Sequence, residues 1–119
     1  MKKTLVIGAS ENPERYSNKA TRMLNEYHHE VVPFGLRKGS IQEIPIVTEF
    51  PTHNDFDTVT LYLNPTNQAG YIDKILGLHP KRVVFNPGTE NPAFEAKLRA
   101  QGIEALEACT LVLLRTNQY

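Results

Sequence analysis

The sequence predicts an α/β protein of Rossmann-like type, a three-layer α/β/α domain over residues 1–119 built on a mostly parallel sheet of five or six strands. Two observations lead there. Short apolar or β-branched runs alternate along the whole chain with segments whose apolar residues recur at the 3.6-residue helical period, and that alternation calls for crossover connections and parallel neighbours. The runs also stop at turn formers, Gly8, Gly35, Asn64-Pro65 and Asn86-Pro87, close to where a helix then begins.

The first run, Thr4 to Ile7, is too short for a helix and is closed by Gly8, so it reads as a buried strand. Tyr16, Ala20, Met23, Leu24 and Tyr27 then fall on one helical stripe, with Lys19, Arg22 and Glu26 off it. Either Asn12, with Pro13 as first helical residue, or Ser17 is expected to cap this helix. His28 and His29 sit at its end, where the dipole favours a cation. Glu30 to Phe34 gives a second strand broken by Pro33, and Ile41 to Phe50 has room for a short third one at Ile46-Val47. Asp57 to Leu63 is rich in β-branched and aromatic residues and reads as the next strand. Thr66 or Asn64 is expected to cap a helix carrying Ala69, Ile72, Ile75 and Leu76 that ends at Gly77. Arg82 to Phe85 is again a strand. After it Asn91 caps, Pro92 starts and Gly102 closes a helix with Phe94 and Leu98 inward and Glu95 four residues before Arg99. Ile103 to Leu106 is a last strand, and Thr110 to Leu114 a last turn of helix.

Composition removes several classes of function. Thirteen basic against 13 acidic residues leave no overall field to attract nucleic acid or an anionic membrane. A lone cysteine, Cys109, excludes an internal disulfide framework, and no secretory or membrane-spanning segment is visible, so cytoplasmic residence is the expectation. The four histidines, 28, 29, 53 and 79, have no metal-ligand spacing with one another or with Cys109, and no P-loop, G-x-S-x-G or H-E-x-x-H sequence occurs. Neither a metal site nor a catalytic residue is therefore assigned. Cys109 reads as a small buried residue rather than a nucleophile.

In a parallel sheet the ligand lies beyond the carboxyl ends of the strands, where the strand order reverses. Chemistry is accordingly sought only in the segments after each strand. Gly8-Ala9-Ser10 supplies small residues where backbone must approach a ligand, ahead of a helix whose positive end suits an anion. With one glycine where the dinucleotide fingerprint has three, Gly8 is equally explained by a tight turn. Residues 1–40 carry seven basic and four acidic residues in an otherwise neutral chain. Arg15 and Lys19 stand near the first loop, and Arg37 and Lys38 follow the second strand. Arg15 and Lys38 are read as phosphate contacts, with solvation the alternative, and Arg22 as a solvated helix face. An NAD site places a carboxylate at the end of the second strand. This chain has Pro33-Phe34-Gly35-Leu36-Arg37-Lys38 there, which suits a ribose bearing an extra phosphate, as in coenzyme A or NADP. The repeated Asn64-Pro65 and Asn86-Pro87 at two strand ends point to a shared ligand-facing role, the plain alternative being that proline ends a strand and starts a helix.

Gly8-Ala9-Ser10-x-Asn12-Pro13-x-Arg15, the Val32-Pro33 turn, Asn86-Pro87-Gly88 and Cys109-Thr110-Leu111-Val112 together resemble the small bacterial CoA-binding-domain proteins over nearly the full chain. That family is similar in turn to the CoA-binding amino-terminal domain of the succinyl-CoA synthetase alpha chain. The resemblance implies a Rossmann-like fold holding coenzyme A or an acyl-CoA at the strand ends, and it implies no reaction. It places Gly8, Ala9 and Ser10 against the CoA phosphates, with Asn12 in the same loop and Arg15 and Lys19 as cationic partners. Pro33, Phe34 and Lys38 would flank the adenosine, and Asn64, Pro65, Asn86, Pro87 and Gly88 the pantetheine arm. Phe34 to Lys38 departs from the asparagine-proline-lysine-like stretch common in the family. The phosphohistidine of the synthetase lies in a second domain for which this length has no room, so no complete catalytic site is expected. NADP or another nucleotide is the alternative cofactor. A homodimer, or a ligand-free interaction module on the same scaffold, also stays open.

Overall fold

A computed structural model describes all of residues 1–119. Five strands, β1 (Thr4–Ile7), β2 (Val31–Phe34), β5 (Thr58–Leu61), β6 (Arg82–Phe85) and β7 (Glu104–Glu107), form one sheet in the order β2-β1-β5-β6-β7, every neighbouring pair parallel. Between β2 and β5 lies a separate antiparallel ribbon, β3 (Gly39–Ile41) with β4 (Ile44–Ile46). The third strand expected at Ile46-Val47 therefore does not join the main sheet as a sixth strand. Its only pairing with the sheet is a single parallel bridge from Val47 to Phe34. The ribbon turns at Gln42 and Glu43, both left-handed, at φ 48° and 68°. Such turns are normally announced by Asn-Gly, and this sequence lacks that signal.

Period-two alternation divides the sheet into two unlike faces. Leu5, Ile7, Phe34, Val59, Leu61, Val83 and Phe85 point to one side and are buried under α3 (Ile72–Leu78) and α4 (Pro92–Ala100) through Ile75, Leu78, Phe94 and Leu98. Val6 and Val31 point to the other, beneath α1 (Tyr16–Glu26) and α5 (Thr110–Arg115), with Leu24, Leu114 and Tyr119. That second face also buries hydroxyls and an arginine. Thr4 Oγ1 lies 2.6 Å from the Tyr119 hydroxyl, Thr60 Oγ1 lies 2.8 Å from Thr110 Oγ1, and Arg82 Nε donates to Thr58 Oγ1 at 2.8 Å. The Arg82 guanidinium stacks 4.3 Å from the centre of the Tyr119 ring.

The helix after β5 is broken into α2 (Pro65–Gln68), a 3-10 turn (Ala69–Tyr71) and α3, which runs past Gly77 and stops at a left-handed His79. In α1 the buried residues are Ser17, Asn18, Ala20, Thr21 and Leu24, whereas Tyr16 and Tyr27 of the expected stripe are exposed. Thr21 Oγ1 donates back to the Ser17 carbonyl at 2.8 Å, which lets small polar residues sit against the sheet. Neither Asn12 nor Ser17 caps α1; Arg15 is its N-cap residue, without a side-chain bond. Pro33 is tolerated because β2 is an edge strand. No helix is long and apolar enough to cross a membrane.

Candidate functional site

The chain leaves β1 toward β2 on one side and returns to β5 on the other, so the order of the strands reverses between β1 and β5. The crevice that this reversal creates lies between the loop after Ile7 and the segment Tyr62–Asn64. Gly8 takes φ 97°, and a β-carbon there would come within 3.2 Å of the Tyr62 carbonyl oxygen. Glycine is thus required twice over at this position, by conformation and by contact. Gly35, after β2, is tighter still, since its β-carbon would stand 2.5 Å from the Ala9 carbonyl oxygen. The backbones of the first and second loops therefore touch.

The N–H groups of Gly8 and Ala9 both donate to the Phe34 carbonyl, at 3.0 and 2.9 Å. These two residues can border an anion by being small, but their amides are already taken up. Beyond them the loop folds on itself. Ser10 Oγ accepts from the Asn12 amide at 3.1 Å, and Asn12 Oδ1 accepts from the Glu14 amide at 3.0 Å. Two residues of α1 hold this loop in place. Asn18 Nδ2 donates to the Ser10 carbonyl at 2.9 Å, and Arg22 bridges Asn18 Oδ1 at 2.7 Å and the Pro13 carbonyl at 3.3 Å. Arg22, read as a solvated residue, is thus a loop brace, and Asn18 was not singled out at all. Their four-residue spacing on one helix is the signal that would have found them.

Pro33 and Phe34 are buried, and the Phe34 ring packs edge-on against Phe50 at 5.2 Å and Tyr71 at 5.5 Å. Their side chains support the edge from within instead of facing a ligand: alternation sends them to opposite faces of the sheet, and both faces are covered. Arg37 and Lys38 are exposed beyond them. Arg15 is exposed and Lys19 half-buried, its Nζ 5.1 Å from the centre of the Tyr16 ring. Arg15, Lys19 and Lys38 enter none of the five ion pairs of the molecule.

The two Asn-Pro pairs do different work. Asn64 is exposed and caps α2 by accepting from the Asn67 amide at 2.9 Å, with Pro65 beside it as the first helical residue. Asn86 is 1% exposed. Its Nδ2 donates to Thr60 Oγ1 at 2.6 Å and to the Leu61 carbonyl at 2.8 Å, and its Oδ1 accepts from the Thr110 amide at 2.9 Å. The shared ligand-facing role expected of the pair does not extend to this side chain. Pro87 and Gly88 remain exposed at the rim. Gln68, fully buried, ties the loops after β5 and β6 together: it donates to the carbonyls of Leu63 and Thr89 at 2.8 and 2.7 Å and accepts from Asn91 Nδ2 at 2.9 Å. Nothing in its polar surroundings marked it in sequence.

Two open concavities are lined by other segments. One of about 350 Å³ runs between α1 and α5, lined by Lys19, Arg22, Met23, Glu26, Leu111 and Arg115. The other, about 450 Å³, lies at the ribbon between Lys38 and Glu49. Cys109 is half-buried just beyond β7. The nearby Tyr62 hydroxyl is buried without a hydrogen-bond partner, and burial pushes its ionisation well up. No three His, Cys, Asp or Glu side chains gather as a metal site would need. His29 is not the dipole-paired cation expected at the end of α1. Burial, together with the amino terminus, Lys2 and Arg82, lowers its pKa, and its Nδ1 accepts from the Lys2 amide at 3.0 Å.

Known proteins share this sequence pattern and this fold. The family described as "CoA binding domain" matches residues 2–115. A solved structure titled as an uncharacterized protein shares 45% identity, covers 100% of this chain and 98% of its own, and superposes with a TM-score of 0.97. A protein from Thermus thermophilus, cell-free ID.343, has 21% identity over 99% of this chain and 90% of its own, TM-score 0.84. The dinucleotide forming acetyl-coenzyme A synthetase 1 of Ca. Korarchaeum cryptofilum, solved with phosphate and ADP, has 18% identity over 89% of this chain and 25% of its own, TM-score 0.67. These last two show the shared fold. No curated protein matches the chain in sequence.

Proposed function

The chain belongs to the CoA binding domain family, and from that membership we propose that it holds coenzyme A or an acyl-CoA across the carboxyl ends of β1, β2, β5 and β6. The family match over residues 2–115 carries the reading. The geometry supports it in three ways. The crevice at the strand reversal is bordered by Gly8, Ala9 and Ser10, small enough for a diphosphate to approach. Arg15 and Lys19 stand at the start of α1, and Lys38 after β2, with no carboxylate within ion-pair distance. The positive end of the 11-residue α1 faces the same crevice.

In this reading Gly8, Ala9 and Ser10 shape the diphosphate site, and Asn12 keeps its loop folded. Arg15 and Lys19 supply charge to the diphosphate, and Lys38 meets the ribose phosphate. Asn64, Pro65, Pro87 and Gly88 border the pantetheine arm, while Pro33, Phe34 and Asn86 hold these rims from below. The protein serves as a cofactor-binding domain in one piece, without a complete catalytic site. The likeness to part of an acetyl-coenzyme A synthetase fits such a role, in which binding is one module of a larger reaction elsewhere.

Isothermal titration with CoA, with NADP and NAD as controls, tests the proposal, repeated on Arg15→Ala. Micromolar binding of CoA, weakened about tenfold or more in the variant, is the expected result for a lost charge-assisted phosphate contact. Binding of NADP in preference to CoA, or of neither by ligand-free protein, would overturn it.

A further inference from the structure

Glu11 stands in the middle of the loop after β1, where a carboxylate is an unfavourable neighbour for a phosphate. The fold turns it aside. Its Oε2 accepts from the Ser40 amide of β3 at 2.9 Å, and it lies so close to Gly39 that a β-carbon there would come within 2.2 Å of Glu11 Cδ. At the opposite end the β3–β4 ribbon is tied to α1, Gln42 accepting from Asn25 Nδ2 at 3.1 Å and donating to Glu26 Oε2 at 3.0 Å. Lys38 is the residue directly before β3 and lines the groove of about 450 Å³ at the ribbon. The Ser40 bond thus sets the direction of the Glu11 charge and holds the near end of the ribbon, the backbone from which Lys38 projects.

We propose that Glu11 is a positioning residue: its bond to the Ser40 amide latches the ribbon to the glycine loop and fixes Lys38 for the ribose phosphate of coenzyme A. This rests on the coenzyme reading above and adds a specificity to it. The latch separates coenzyme A from dephospho-CoA, which differs from it only in lacking that phosphate. A larger residue at 39 would push the Glu11 side chain aside and so loosen the latch.

The test is titration of the wild type, Lys38→Ala, Glu11→Ala and Glu11→Gln with CoA and with dephospho-CoA, alongside hydrogen exchange at the Ser40 amide. The wild type is expected to prefer CoA by roughly ten- to a hundred-fold, the worth of a charge-assisted contact. Lys38→Ala and Glu11→Ala should each reduce that ratio below about threefold, with faster Ser40 exchange in Glu11→Ala alone. Glu11→Gln keeps an acceptor oxygen for Ser40 and should keep the ratio. An unchanged ratio in Glu11→Ala overturns the latch. Tighter binding of both nucleotides by both Glu11 variants overturns it too, since Glu11 would then act only by repulsion. A wild type that binds both equally sinks the inference and leaves the coenzyme reading standing, whereas one that binds neither sinks both.

Discussion

Replacing Asn86 by alanine separates a residue that builds the site from one that touches the ligand. The carboxamide makes three buried bonds, and after its removal Thr60 Oγ1 still has Thr110 Oγ1 at 2.8 Å. The Thr110 amide and the Leu61 carbonyl lose this partner in a region closed to water. At about 2 kcal/mol for each group left buried and short of its bond, Asn86→Ala should cost about 4 kcal/mol. That is a large share of the 5–15 kcal/mol that holds a typical domain together. With a urea slope of about 1.5–2 kcal/mol/M, the unfolding midpoint should fall by about 2–3 M. At roughly 4 °C per kcal/mol, the melting temperature should fall by about 16 °C. Asn64→Ala is the control, because the same Asn-Pro sequence there is an exposed helix cap whose loss costs about 1 kcal/mol. Titration with CoA under conditions where Asn86→Ala is folded should give an affinity within about threefold of the wild type. A midpoint shift below about 0.5 M combined with a large loss of affinity would refute this account and return Asn86 to the ligand-facing role its sequence context suggests.

Two further perturbations bear on other parts of the molecule. Gly35→Ala drives a β-carbon against the Ala9 carbonyl at 2.5 Å, a clash of backbone that no side-chain rotation relieves. It should destabilise by about 2–3 kcal/mol in thermal melts and weaken CoA binding at least tenfold; unaltered affinity would place the first loop outside the site. His29 has its pKa lowered in the folded state by burial and by the positive groups around it. The unfolded chain therefore binds the proton more readily, and stability is lost as the pH falls through about 6.5 toward the folded value. His29→Asn should flatten the difference in urea midpoint between pH 7.5 and pH 5, and an equal drop in the variant would assign the acid sensitivity to other groups.

Much of the fold was legible because the residues that specify it act locally. Arg82 to Phe85 is a strand, and Asn91, Pro92 and Gly102 bound α4, because capping chemistry and strand alternation leave few choices. The ribbon was missed because Gln42-Glu43 turns without asparagine or glycine, so its two strands had no punctuation between them. The inner stripe of α1 was displaced because burial there goes to Ser17, Asn18 and Thr21, whose polar groups are satisfied by neighbours that sequence cannot show. The loops on which the site is proposed are the ones the sequence singled out, and the β1–β5 reversal gathers those segments after the strands. Which side chains in those loops face outward was not, because Phe34 and Asn86 are assigned by packing and Asn18 and Gln68 by bonds across elements.

The division of labour within the crevice follows from those bonds. Asn18, Gln68 and Asn86 are neutral amides, able to donate and accept at once, and each links two or more segments without placing a net charge in the interior. A framework made from carboxylate and lysine pairs would have used up the cations at the rim and carried the desolvation cost of buried charge. Of the two carboxylates in the first loop, Glu11 is bonded to a backbone amide of the ribbon and Glu14 is exposed. Arg15, Lys19 and Lys38 are left outside every ion pair of the molecule. Under the proposed reading an arriving phosphate displaces no salt bridge to reach their charge, so an overall balance of 13 cations and 13 anions does not exclude an anionic ligand.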